Sequence, residues 1–224
     1  VMALEERALF DALGNLYGQN SMNFLSPDDL GFNLGEIDPA LQDFDLTDIL
    51  REERNPKLFI RHTIGHTDVL RDDDITKEMH GSGPPGVPIS LEGHVEHGKY
   101  AHFKIKITKN RRESVERLKE IATILDEKAP KHYMATLDGN EEFASLGSVE
   151  KFMKLFYEES QNHETLGRLW DRVTYVEQPF RRFALDKLTA ADKATIQRIQ
   201  DPNKGKPLLI DESGFETNSY NTAI

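Results

Sequence analysis

Three carboxylates each follow or end a short apolar run in the second half of the chain, and together they have the chemistry of a cation site. Asp138 follows HYMATL, Glu177 ends VTYVE, and Asp211 follows PLLI. Successive acids are separated by about one βα unit. The carboxyl ends of parallel strands meet at one edge of a sheet, so three acids there would repel one another. An oxygen-preferring divalent cation, Mg²⁺ with Mn²⁺ as its substitute, would remove that repulsion.

Two readings of these acids stay open from the pattern alone. An isolated Asp or Glu after a strand is more often a loop or helix-cap residue than a metal ligand. Three such acids, each at the end of a strand and at similar spacing, favour the cation site more strongly than any one of them does.

Lys104 and Lys106 alternate with apolar residues in the segment AHFKIKIT, so both lysines point to one face of a predicted strand. On a sheet with one face exposed to solvent, polar and apolar residues ordinarily alternate in this way. Inside a parallel barrel, two lysines are costly unless they meet carboxylates or act in catalysis. There, a metal ion and a second ammonium would lower a lysine pKa toward the value that a general base needs at neutral pH.

The elements that must position these residues alternate between strands and helices. Apolar periodicity predicts helices over residues 2–17, 111–128 and 148–160 and over much of 182–199. Strand signals lie at residues 58–60, 101–108, 132–137, 173–177 and 207–210. This alternation is typical of parallel βαβ units, so the predicted fold class is α/β.

The amino-acid composition limits the classes of partner and site that this chain can have. The chain carries 39 Asp and Glu against 28 Lys and Arg, a formal net charge of −11, which argues against nucleic acid or an anionic membrane as partner. It has no cysteine, so disulfides and thiolate metal sites are excluded. No apolar run has transmembrane length and the first residues do not read as a secretory signal, so we expect a cytoplasmic protein.

Four segments in order, FKIKI, TLDGNEEF, YVEQPF and LLIDES, resemble the enolase superfamily in its mandelate racemase and muconate-lactonizing enzyme branch. The resemblance implies a modified TIM-type (β/α) barrel with an N-terminal α+β capping domain. Residues 1–55 would be a remnant of the capping domain, and residues 56–224 would form the first five barrel strands. A whole barrel takes about 250 residues, so we expect a fragment or a chain completed by another.

The resemblance also implies roles for individual residues. Asp138, Glu177 and Asp211 would bind Mg²⁺ or Mn²⁺, whereas Glu212 is expected to point to the opposite side of its strand. Lys106 would be the base, and Lys104 would help to neutralise the substrate carboxylate and lower the pKa of Lys106.

Three further residues would contact or support the substrate. Asn140 would support the first metal ligand and the substrate, and His62 and Thr63 would contact the substrate from the mouth of the barrel.

The chemistry that this family shares is removal of a proton α to a carboxylate through a metal-stabilised enediolate. We therefore expect a lyase, racemase or epimerase, or cycloisomerase that acts on a small carboxylate, and an open barrel edge favours a homo-oligomer. Two alternatives stay open. The chain could be a non-catalytic fragment or subunit that keeps the metal site, or another parallel α/β protein with accidental matches.

Overall fold

A computed structural model describes residues 2–20, 34–36, 39–44, 57–80, 84–182 and 188–215. Contacts divide the chain into two units, Val1–Leu58 and Phe59–Ile224. The division lies a few residues from the boundary expected after residue 55. That the first unit derives from a capping domain stays a prediction.

The described residues of the first unit form one long helix, α1 (Met2–Tyr17), and two short 3₁₀ turns, Leu34–Glu36 and Pro39–Leu41. The bounds of α1 confirm the predicted helix. Leu4, Leu9 and Leu16 on this helix are exposed. The apolar period therefore predicts that the helix forms, but it does not by itself identify a buried face.

The second unit is built on a five-stranded parallel sheet, and this confirms the predicted α/β class. The strands stand side by side in sequence order, each beside its predecessor. A barrel is wound in this one direction, whereas a doubly wound sheet reverses it. The strands are β1 (Arg61–Ile64), β2 (His102–Lys106), β3 (Met134–Asp138), β4 (Val173–Glu177) and β5 (Leu208–Leu209).

Five helices accompany these strands in the described ranges: α2 (Leu91–Gly98), α3 (Arg111–Lys128), α4 (Leu146–Asn162), α5 (Glu164–Arg172) and α6 (Ala190–Ile199). The bounds of α3 are those that the sequence predicts, and α4 and α6 lie where helices are expected. Helix α5 was not predicted, although its buried residues Leu166, Leu169 and Trp170 recur at helical spacing. None of the described helices is long and apolar enough to cross a membrane.

Side-chain hydroxyl groups cap the N-termini of three of these helices. Ser90 Oγ accepts a hydrogen bond from Gly93 N at 2.9 Å, and Ser145 Oγ accepts one from Ser148 N at 3.2 Å. Thr189 and Asp192 form a reciprocal capping box at the start of α6. These bonds satisfy backbone donors that the first helical turn leaves without a partner.

Parallel pairing sorts the strand side chains onto two faces of the sheet. On one face, buried apolar residues join the core that the helices cover, which includes Ile64, Phe103, Ile105, Leu137 and Val176. On the other face, the register places Thr63 beside Lys104, and Lys106 beside Asp138, which in turn neighbours Glu177. The lysines of β2 therefore face the strand-end acids.

A hydrogen bond joins the first and fourth strands across the polar face. Arg61 Nη1 on β1 donates to Tyr175 Oη on β4 at 3.0 Å, although β2 and β3 lie between them. The two long side chains therefore reach across two strands of the sheet.

The position of the first strand is a correction to the sequence-based prediction. Leu58, Phe59 and Ile60, the run predicted to form it, are 85, 82 and 70 % exposed. Pairing with β2 begins only at Arg61, opposite His102. Apolar character marks residues that favour a strand, but the register with the neighbouring strand decides where one forms.

His62 should make folding sensitive to mild acid. Burial lowers its pKa and the charge of His94 lowers it further, while Asp68 opposes both. Below about pH 6.5 the unfolded chain takes up a proton that the folded chain resists, so the free energy of unfolding falls as the pH drops. We expect urea unfolding at pH 7.5 and 5.5 to show a smaller loss for His62→Gln than for the natural chain. An equal loss in both would contradict this role.

Candidate functional site

The polar face ends in a cluster of two lysines and two carboxylates contributed by three adjacent strands. Lys104 Nζ lies 2.7 Å from Asp138 Oδ2 and 2.8 Å from Glu177 Oε1. Lys106 Nζ also lies 2.7 Å from Asp138 Oδ2. The structure therefore brings together four of the residues that the sequence singled out.

Asn140 connects this cluster to the segment after β5. Its backbone N–H donates to Asp138 Oδ1 at 2.9 Å, and its side-chain oxygen accepts a hydrogen bond from Lys106 Nζ. Its amide nitrogen donates to Glu212 Oε1 at 3.1 Å. Asn140 thus supports Asp138, as expected, and also reaches an acid that was not expected at the site.

The charges in the cluster stabilise one another. Burial disfavours the ammonium of Lys104, but the hydrogen bonds from Lys104 to Asp138 and Glu177 prevail and raise the pKa of Lys104. Burial likewise opposes ionisation of Asp138, yet the bonds from Lys104, Lys106 and the Asn140 backbone lower the pKa of Asp138. Lys104 is therefore held as a cation and Asp138 as an anion.

Tight loops after β3 and β4 lie directly beside the cluster. Asn140, Glu141 and Gln178 have positive φ angles of 39°, 64° and 31°. Residues other than glycine seldom adopt this region of backbone conformation. Gly139 lies so close to the second loop that a Cβ atom on it would be 2.6 Å from Pro179 Cα. Such strained backbone beside charged groups is common at functional sites.

Gln178 is a positioning residue that the sequence analysis missed. Its buried side-chain oxygen accepts hydrogen bonds from the backbone N–H groups of Asp211 at 2.9 Å and Ser213 at 3.1 Å. Its amide nitrogen donates to Phe180 O and Ser213 Oγ, both at 2.8 Å. Gln178 therefore ties the segment after β5 to the end of β4. Its only signal in the sequence is its place directly after Glu177 in YVEQPF.

The two acids after β5 differ in their surroundings. Asp211 is exposed, its backbone N–H donates to Gln178 Oε1, and its carbonyl oxygen accepts a hydrogen bond from Gly214 N at 2.8 Å. Glu212, which was expected to point away, accepts a hydrogen bond from Asn140 through Oε1, and its other carboxylate oxygen, Oε2, is buried. In the described part of the chain, Oε2 of Glu212 and Oε2 of Glu177 accept no hydrogen bond.

The donor set fits an oxygen-preferring cation in part. Asp138 and Glu177 already share one positively charged partner, Lys104, and the unpartnered Glu177 Oε2 is a buried acceptor that a cation would satisfy. Within the described ranges, however, no three His, Asp or Glu groups stand together as a ready-made ligand set. A third carboxylate would have to come from Asp211 or Glu212 by side-chain movement.

The two residues expected at the mouth from β1 lie on different faces. Thr63 is exposed and stands beside Lys104 in the register, on the polar face. His62 is in register with Phe103, whose side chain belongs to the helix-covered core. The His62 ring stacks on Tyr100 at 5.1 Å between ring centroids and lies 4.7 Å from His94. The structure therefore does not bring His62 to the cluster.

The chain matches no protein-family model, no curated protein and no solved structure. The resemblance to the enolase superfamily consequently rests on the four motifs, and the activity that it implies stays a proposal.

Gly139 should be intolerant of a side chain. Gly139→Ala places Cβ against the backbone of Pro179, and relief requires the two loops to separate, so we expect it to lower the free energy of unfolding by about 1–3 kcal/mol. Gly147→Ala is the matched control, because its Cβ would meet only Ser145 Oγ at 3.9 Å. Urea unfolding of both variants measures the difference, and equal stabilities would refute the close approach.

Proposed function

We propose that this chain belongs to a metal-dependent enzyme of the enolase-superfamily type, which removes a proton α to a carboxylate within a parallel (β/α) barrel. The observation that carries the proposal is the meeting of the Lys-x-Lys strand with Asp138 and Glu177 at the strand ends. The reaction class is lyase, racemase or epimerase, or cycloisomerase, and the substrate is a small carboxylate.

Mg²⁺, or Mn²⁺ in its place, would be held by Asp138 and Glu177 together with a third acid. The motif resemblance assigns that third position to Asp211, whereas the contact with Asn140 favours Glu212. When bound, the ion supplies the positive charge that stabilises the dianionic enediolate of the substrate.

Lys106 is the proposed base, and its Nζ atom would accept the α-proton. In this structure Lys106 Nζ donates to Asp138 and to Asn140, so it must lose a proton before it can act. Additional positive charge beside both lysines favours that loss. Lys104, between two carboxylates, would remain charged and attract the carboxylate of the substrate.

The metal site is tested by titration calorimetry with Mg²⁺. We expect Glu177→Gln to weaken binding by more than about tenfold, since it removes a ligand and not only a supporting contact. Asp211→Asn and Glu212→Gln, measured side by side, identify the third acid, and we expect the loss in Asp211→Asn. Glu116→Gln, an exposed acid on α3, is the control. Equal affinity in all variants would refute a strand-end metal site.

The base is tested by exchange of substrate α-protons in D₂O, followed by NMR across a panel of carboxylic acids. We expect Lys106→Ala to slow exchange by about 10²–10⁴-fold and to leave Mg²⁺ affinity nearly unchanged. Lys204→Ala, on an exposed turn, should behave like the natural chain. Retained exchange in Lys106→Ala would contradict the assignment. Metal binding without exchange in the natural chain would favour the non-catalytic alternative.

A further inference from the structure

A second charged region lies in the helical layer and shares no residue with the strand-end cluster. A groove of about 520 Å³ runs between the start of α3 and the middle of α4. Apart from Asn110 and Leu155, its lining side chains are charged, and only Glu158 among them is acidic. The five cations are Lys109, Arg111, Arg112, Lys151 and Lys154.

Among the described residues, four of these five cations have no ion-pair partner. In the part of the chain that the structure describes, Lys109, Arg111, Arg112 and Lys151 make no ion pair and no side-chain hydrogen bond. Lys154 pairs with Glu158 at 3.8 Å, and Glu150 interacts with Lys151 and Lys154 through charge alone.

Several cations elsewhere on the helices are paired. Lys119 contacts Glu116 at 2.9 Å, and Arg168 contacts Asp126 at 2.7 Å. Because acids outnumber bases in the whole chain, with a net charge of −11, a group of five cations of which four are unpaired is not a consequence of composition.

The arrangement is unfavourable without an anion. Lys151 and Lys154 are three residues apart on α4, and like charges at that spacing destabilise a helix. Arg111 and Arg112 add two charges at the first turn of α3, where the helix dipole already favours anions and disfavours cations. An anion in the groove would relieve both effects.

We propose that this groove binds a small oligophosphate. Several cations around one cavity match a ligand with several negative charges, and arginine binds phosphate oxygens in a bidentate manner. The volume is that of a small-molecule site. Nucleic acid is a poor fit, because a protein with a net charge of −11 repels a long polyanion beyond the groove.

Two sources share this chemistry: a free inorganic oligophosphate, or the phosphate chain of a nucleotide. Leu155 is the apolar residue in the lining. Comparison of inorganic tripolyphosphate with ATP therefore separates the sources. Equal affinities assign the groove to the phosphate chain alone, and tighter ATP binding assigns it to a nucleotide.

The test is titration calorimetry of the full chain with each ligand, in EDTA so that no metal-bridged binding occurs. We expect the natural chain to bind, and Arg112→Glu combined with Lys151→Glu to weaken binding by at least about tenfold. Lys193→Glu combined with Lys204→Glu makes the same change in net charge at exposed sites outside the groove, and it should alter affinity by less than about twofold. Circular dichroism checks that both variants fold.

Three results would overturn the proposal. In the first, neither ligand binds to the natural chain. In the second, both double variants weaken binding equally. In the third, Lys106→Ala abolishes binding. The last would place the phosphates at the strand-end cluster. The proposed binding of oligophosphate requires neither a metal ion nor the substrate of the proposed enzyme. These outcomes are therefore independent of the proposed enzymatic activity.

Discussion

Asp138 places a carboxylate at the end of β3 where its side chain is entirely shielded from solvent. A buried charge costs several kcal/mol unless it is paired and hydrogen-bonded. Lys104, Lys106 and the Asn140 backbone together provide that pairing. The two lysines lie on the adjacent strand, so the pairing depends on the register that sets Lys106 beside Asp138. A shift of β2 by one residue would turn its lysines into the helix-covered core and leave Asp138 unpaired.

The loops complete what the strands begin. Gly139 allows the loop after β3 to touch Pro179, and the Gln178 side chain holds the segment after β5 through three hydrogen bonds. The acids after β5 are therefore positioned by a neutral amide and not by their own charges. A site that is organised by its supporting residues before a ligand arrives loses less binding energy to reorganisation.

The two charged regions differ in how their charges are balanced. At the strand ends, each lysine has a carboxylate partner and the charges are largely shielded from solvent, so their pairing contributes to folding. In the groove between α3 and α4, the cations are exposed and mostly unpaired, so water reduces their mutual repulsion but does not remove it. The attraction of these cations for an anion is therefore available to a ligand.

The sequence by itself determined the local elements: the bounds of α1 and α3, the strand that ends in Glu177, and the alternation that puts Lys104 and Lys106 on one face. These follow from periodicity within a few neighbouring residues. Tertiary structure alone decided that β1 begins at Arg61, that Glu212 contacts Asn140, and that His62 packs among aromatic rings. It also brought the cations of α3 and α4 into one groove. Such contacts join residues far apart in the chain, and no local pattern encodes the packing and register that bring them together.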